Sequence, residues 1–389
     1  MSKKRTGRVL GLVVAASLAF TACSSDSDSN DTTAATDAAD TTAATEAAAP
    51  AADLTAMAAD CAKEGQVNLI AVPDEWANYK GIIASYQAKY PGVKTPVANP
   101  DGSSKDEMEA VKTLAGQADQ PDAVDVSPAI GAEMAAAGLF EPYKPSTIGE
   151  VPAVLQDPAN NWTASYYGIM AFLTNTKIVP NPPTSFADLK KPEYKGLVSL
   201  NGDPRESGAA FAAVMAASIA NGGSADDIAP GIAFFAELKK SGNLGGTDVT
   251  KATVLSGETP ISIDWSYNLP SLRADLVKAG LTVETKYPSD AVYGGFYGQG
   301  LVKGSPHQAC GKLWLEHLLS DEGALGYLEG GAIPARFEAL VAAGKITEDA
   351  KKNLPPAELI SQIKFLTPEQ IAKAKEVLGA EWGPKVADA

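Results

Sequence analysis

Val67-Asn68-Leu69-Ile70-Ala71-Val72 is followed by a run from Trp76 to Tyr90 with Ile82, Ile83 and Tyr86 at helical spacing, ended by Pro91-Gly92. A short branched-aliphatic run bounded by turn residues reads as a buried strand, and the longer run as the helix that covers it. The pattern repeats outward. Val93 to Val97 is a second strand, Lys105 to Leu114 a helix, Ala123-Val124-Asp125-Val126 a third strand, and Ala129 to Ala137 a small-residue helix closed by Gly138. This βαβαβ order predicts a parallel sheet covered by helices. A second α/β unit begins after Tyr166-Tyr167-Gly168, with strands expected over 169–175, 197–200, 260–265 and 281–287. Helices are expected from Gly208 to Ala220, over Ile228–Leu238 and over Ser271–Ala279. After Tyr297 the chain reads as mostly helical.

The beginning of the chain has a different character. Lys3, Lys4, Arg5 and Arg8 precede an apolar run from Val9 to Phe20, which describes a secretory signal. That run is too short for a permanent membrane span. Thr21-Ala22-Cys23 resembles a bacterial lipobox. The resemblance implies that residues 1–22 are a signal peptide removed before Cys23, and that Cys23 carries acyl chains. The mature protein is then exported and lipid-anchored to the outer face of the cell membrane. From Ser24 to Asp53 the chain is almost entirely Ser, Asp, Thr and Ala. Such a segment buries too little apolar surface to offset the entropy of ordering, so 23–53 reads as a lipidated N-terminus and disordered tether.

Size and charge bound the rest. Loss of the four cations of the signal takes the net charge from −15 to −19. That excess argues against nucleic acid and against charge-driven attachment to anionic lipid. About 330 residues follow the tether, a length at which single cores usually divide into two lobes. No second apolar run reaches spanning length, so the chain is not itself a membrane transporter. With Cys23 acylated, Cys61 and Cys310 remain. In an oxidising compartment they invite a disulfide, two buried free thiols being the alternative.

Several stretches, in order along the chain, carry a family likeness. They are Phe140-Glu141-Pro142-Tyr143, Asn161-Trp162-Thr163-Ala164-Ser165-Tyr166-Tyr167-Gly168 with Leu173-Thr174-Asn175-Thr176, Ser185-Phe186-Ala187-Asp188-Leu189 with Tyr194-Lys195-Gly196, and Gly330-Gly331-Ala332-Ile333-Pro334. They resemble the extracellular solute-binding proteins of ABC importers, in the periplasmic-binding-protein-like II class. The likeness is greatest to the branch that includes ferric-iron, polyamine, thiamine and 2-aminoethylphosphonate receptors. It implies an α/β fold of two Rossmann-like lobes joined by two crossed hinge strands. Lobe one would comprise 61–168 plus 290–389 and lobe two 169–289, with crossings near 168–173 and 284–292. A Cys61–Cys310 bridge would then fall within lobe one. The implied protein is a cofactor-free monomer. It captures a small solute by lobe closure and delivers it to the transmembrane subunits of an ABC permease.

Ligands of open α/β sheets sit beyond the carboxyl ends of the strands. That rule selects Asp74, Glu75 and Trp76 after the first strand, and Asp125 and Ser127 at the third. It also selects Asp264, Trp265, Tyr267 and Asn268 after the strand at 260–265, and Tyr293 and Tyr297 on the return crossing. Carboxylates amid aromatic faces suit an ammonium group. The competing reading makes Asp74-Glu75 a helix cap and Trp265 a core residue. Arg205 with Ser207-Gly208-Ala209 at a helix start suits an anion, or else Ser207 simply caps that helix. Both chemistries together point to a polyamine, an aminoalkylphosphonate or a similar small charged solute.

Other functions fit less well. Ferric receptors of the class resemble one another in an adjacent tyrosine pair where this chain reads Asp264-Trp265-Ser266-Tyr267, so no metal ligands are assigned and a ferric-iron receptor of the same fold ranks as the alternative below the organic ligands. Tyr166-Tyr167 reads as hinge packing. His307 and His317, ten residues apart on an expected helix, do not share one ligand-presenting face. The chain has no Gly-x-Ser-x-Gly, His-Glu-x-x-His or Cys-x-x-Cys motif, so a secreted hydrolase is disfavoured and no enzyme is expected. A lipoprotein that presents bound ligand to a sensor shares the same fold and stays open.

Overall fold

Thr163–Asn175, a thirteen-residue strand rich in aromatic and branched residues, organises the molecule. The structure is a computed structural model and describes residues 53–388. The signal peptide, Cys23 and nearly all of the expected tether lie outside the described residues. In chain order the strands are β1 (Leu69–Ile70), β2 (Val97–Ala98), β3 (Ala123–Val126), β4 (Thr163–Asn175), β5 (Val198–Leu200), β6 (Ile261–Trp265), β7 (Val283–Lys286), β8 (Gly294–Leu301) and β9 (Ile333–Pro334).

β4 pairs in two directions. Its first part, Thr163 to Ile169, runs antiparallel to β8, and Tyr166-Tyr167 also meet β9. Its second part, from Met170, runs antiparallel to β6 and β7. β3 lies on the far side of β8, and β5 lies parallel beside β6. The sheet therefore reads β3-β8-β4-β6-β5, with β4 carrying the chain from one half into the other. β8 carries it back after β7.

The parallel sheet expected from the βαβαβ order is realised only locally. β1 and β2 pair in parallel, as do β5 and β6, while β4 and β8 make antiparallel ladders with all their neighbours. A chain that crosses between halves and returns must run its two crossing strands in opposite senses. The helix expected over Trp76–Tyr90 is also divided. Ala77 and Asn78 adopt positive φ, so a single turn at Trp76–Asn78 precedes the helix Tyr79–Lys89.

Helices cover both halves. Ser207 Oγ accepts the Ala210 N–H and starts the helix Gly208–Ala220, which is almost wholly buried. Thr367 and Gln370 form a capping box that starts the helix Pro368–Trp382. That last helix touches both halves: Lys375 pairs with Glu133 at 3.0 Å, and Trp382 packs edge-on to Phe235 with ring centroids 5.8 Å apart. Cys61, in the first described helix Leu54–Glu64, is disulfide-bonded to Cys310 in the helix Gln308–Leu318. Glu64 reinforces the junction by accepting the Ala309 and Cys310 N–H groups at 3.1 and 2.8 Å. Among the described residues no helix is long and apolar enough to cross a membrane.

Candidate functional site

A cavity of about 360 Å³ opens between the two halves. One wall comes from the ends of the first half's strands and the loop after β2, with Glu75, Trp76, Asp101, Glu107 and Asp125. The other comes from the loops after β5 and β6 and from 248–251, with Asn201, Asp248, Lys251, Asp264 and Asn268. Tyr297 of β8 forms part of the lining where the halves meet. Nine carboxyl side chains line the cavity, and Lys251 is the single amine among the described lining residues.

Each carboxyl is held differently. Asp125 is buried on β3 and accepts hydrogen bonds from Tyr166 Oη at 2.7 Å and Tyr79 Oη at 3.0 Å, and from Gln299 Nε2. None of these donors is a cation, so burial pushes its pKa up to about 7 against the lowering effect of the three bonds. Glu107 lies beneath it and accepts the Asp125 N–H at 2.9 Å. Burial and the nearby Asp125 carboxyl hold Glu107 well above the usual carboxylate range. Asp264, at the end of β6, accepts from the Asn201 and Asn268 carboxamides at 3.1 and 2.9 Å and from the Trp265 N–H at 2.8 Å. Burial raises it to about 6. Glu75 is shifted the same way by burial, although Lys251 lies 3.6 Å away and opposes the shift.

The aromatic residues divide between two places. Trp76 and Tyr297 line the cavity and meet edge-on, with centroids 5.3 Å apart. Trp265 points the other way. It stacks on Tyr267 at 6.0 Å and lines, with Ser127, Arg205 and Tyr293, a separate pocket of about 40 Å³ roofed by Phe365 and Ile371. Tyr267 is fully buried against Trp76 and Tyr166 and lines neither space.

The sequence-selected residues therefore fall into three groups. Glu75, Trp76, Asp125, Ser207, Gly208, Asp264, Asn268 and Tyr297 line the larger cavity, and Ser207, Gly208 and Tyr297 reach the smaller one as well. Ser127, Arg205, Trp265 and Tyr293 line the smaller one. Asp74 is exposed and lies 3.9 Å from Lys80, and Tyr267 is in the core. The Arg205 guanidinium is folded onto both carboxylate oxygens of Asp203, so its donors face a side chain of its own loop. Sequence reasoning did not pick out Asp101, Glu107, Asn201, Asp248 or Lys251. Most of these lie on loops after β2 and beyond β5; the rule of strand carboxyl ends would have found Asn201, directly after Leu200. His307 Nδ1 sits 2.9 Å from Asp122, and His317 is buried 2.9 Å from Ser85 Oγ; neither lines the cavity.

Comparison with known proteins gives this arrangement its class. The profile of the family described as "Bacterial extracellular solute-binding protein" matches residues 119–362, and the chain belongs to that family. It is an extracellular solute-binding protein of a non-enzymatic family. No curated protein matches the chain. Among solved structures it is similar to the periplasmic binding protein AfuA from Actinobacillus pleuropneumoniae with fructose-6-phosphate bound (TM-score 0.65, 19% identity, 83% of this chain and 99% of that one). It is similar to an ABC transporter substrate-binding protein from Bradyrhizobium japonicum USDA 110 (TM-score 0.63, 16% identity, 82% and 99%). Iron-bound HitA from Pseudomonas aeruginosa is a third (TM-score 0.60, 21% identity, 81% and 98%). These likenesses establish the expected α/β fold of the periplasmic-binding-protein type II class.

Proposed function

We propose that this receptor captures a small organic cation between its halves and delivers it to an ABC permease, held at the cell surface through acylated Cys23. The observation that carries the reading is the carboxyl-rich lining of the cavity: nine carboxyls against one amine, with Asp203 and Glu206 paired to Arg205 and Lys105 from outside it. Asp125 and Asp264 are buried without a cationic partner, and a bound ammonium group would supply one. Trp76 and Tyr297 add aromatic surface, each cation–π contact contributing on the order of 1–2 kcal/mol when desolvated. The carboxyls are spread along both walls, which suits an extended amine better than a point-like metal ion. Ser207 and Gly208, at the start of the helix Gly208–Ala220, border both spaces and leave room for a solute that also carries an anionic end.

Capture follows from the connectivity. β4 and β8 link the halves, so a rotation about them opens and closes the cavity, and a ligand that touches both walls selects the closed form. The test uses the chain from residue 51 onward, which forms one compact unit. Titrated with diamines, aminoalkylphosphonates, sugar phosphates and ferric iron, it should show a concentration-dependent rise in Tm with an amine. Asp264→Ala should weaken that binding roughly 10- to 100-fold, the worth of a charge-assisted hydrogen bond, with the circular dichroism spectrum unchanged. A protein stabilised by sugar phosphate or iron alone would overturn the reading.

A further inference from the structure

Gly208 opens the helix Gly208–Ala220 of the second half and borders both the larger cavity and the smaller pocket. A Cβ at Gly208 would lie 2.7 Å from Ser127 Cβ of the first half and 3.0 Å from Tyr297 Oη on β8. Carbon atoms in contact rest about 3.5–4.0 Å apart, so an added methyl is about 1 Å too close to Ser127. The backbone does not itself call for glycine here. Gly208 has no positive φ, and alanine is the better helix former. What glycine supplies at this position is the close approach of one half to the other.

Both surfaces are fixed. Ser127 precedes Pro128, which holds its backbone extended, with φ −58° and ψ 151°. Its N–H donates to Ser104 Oγ at 3.0 Å, and its carbonyl accepts the Gly131 N–H at 2.8 Å. The Cβ is one bond from that backbone and has no rotamer by which to retreat. Tyr297 is hemmed edge-on by Trp76 and Trp265, with centroids 5.3 and 6.3 Å away. Opposite them, Ser207 caps the helix, and Ala209 and Ala210 are buried behind Gly208. Two ion pairs also cross between the halves, Lys105–Glu206 at 2.7 Å and Lys251–Glu75 at 3.6 Å. Their long side chains adapt to a shift of an ångström, whereas the Gly208–Ser127 contact does not.

We infer that Gly208 is the seat on which the halves close. Its missing Cβ sets how far the second half comes down on Ser127, and so how firmly a solute that touches both walls is held. The inference rests on capture by closure and not on the chemistry of the solute. In Gly208→Ala the clash is relieved by rotation about β4 and β8, which parts the walls and leaves the open form untouched. The ratio of closed to open molecules should fall roughly 5- to 100-fold, the usual range for overpacking by a methyl group. Gly208 is thus a positioning residue, acting on the solute through the distance between the walls.

Carbodiimide coupling reads closure without any ligand. The reagent joins an amine to a carboxyl where the two touch. Lys105 and Glu206, both about half exposed, therefore couple in closed molecules. Lys190 and Glu237, 2.6 Å apart within the second half, couple in either form. Initial rates are followed by peptide mass spectrometry on the chain from residue 51 onward. In Gly208→Ala the rate should fall several-fold at Lys105–Glu206 and hold steady at Lys190–Glu237. Adding Ser127→Gly removes the opposing Cβ and should recover much of the lost rate. An unchanged Lys105–Glu206 rate in Gly208→Ala, or no recovery in the double variant, overturns the inference. So does a fall at both pairs together, which would place the damage in the fold of the second half. None of these results involves a solute, so each leaves the organic-cation reading to its own titrations.

Discussion

Asp264 and Trp265 are neighbours in sequence and serve different spaces. Successive side chains of a strand point to opposite faces. Once Asp264 at the end of β6 faces the larger cavity, Trp265 is turned towards the crossing strands. The sequence marks both as lying at a strand end, and only the pleat separates ligand wall from core. Asp74 and Glu75 also separate, into an exposed residue and a lining one, but they do so within the turn that precedes Trp76. A pH dependence belongs at this scale. Asp125 and Asp264 have pKa values raised to about 7 and 6, above those of an unfolded chain. Their contribution to the stability of the empty protein is therefore present at low pH and is lost as pH rises through that window. Binding of a cation runs the opposite way, because it needs the charged form. Affinity for an amine should fall as pH is lowered from 8 to 5, and the ligand-induced rise in Tm should shrink with it. Calorimetric affinities that stay flat over this range would remove both carboxyls from the ligand wall.

At the scale of elements, the sequence shows strands, helices and their order but hides continuity. The second α/β unit was expected to begin after Gly168, whereas β4 runs through that glycine without a break. Gly168 is not a terminator. It is the register partner of Gly295 on β8, and each is covered by a ring from the end of β6 or the turn after it. A Cβ at Gly168 would lie 2.5 Å from Tyr267 Cδ1, and one at Gly295 would lie 2.6 Å from Trp265 Cη2. Two bare backbones let the aromatic pair sit directly on the crossing strands. Those close approaches join residues 99 and 30 positions apart, so no local pattern announces them. Gly295→Ala should lower stability by about 1–3 kcal/mol through overpacking, read as a lower urea midpoint at unchanged slope. A midpoint equal to that of the native protein would show that the ring moves aside without cost.

Across the whole molecule, the two-part α/β architecture was legible because size, strand–helix alternation and motif order agree on it. The mixed pairing was not, since hydrophobic runs carry no record of strand direction. The Cys61–Cys310 bond is the longest-range covalent constraint, with a sequence separation of 249. In the chain-entropy account, closing a loop of that size contributes up to about 5.5 kcal/mol. Cys61→Ser/Cys310→Ser should lose about that much in urea titration while keeping its ligand affinity, because neither cysteine lines the cavity. Equal stability with and without the bond would place the constraint in packing and in the Glu64 contacts instead.

That bond also decides where a mechanical load travels. A pull on the chain at Asp53 enters the helix Leu54–Glu64, reaches Cys61 within the same helix, and crosses the sulfur bridge into the helix Gln308–Leu318. Tension is diverted sideways into that second helix before it meets β4. If Cys23 anchors the protein as proposed, drag on the tether would be shared with a covalent strut between two helices.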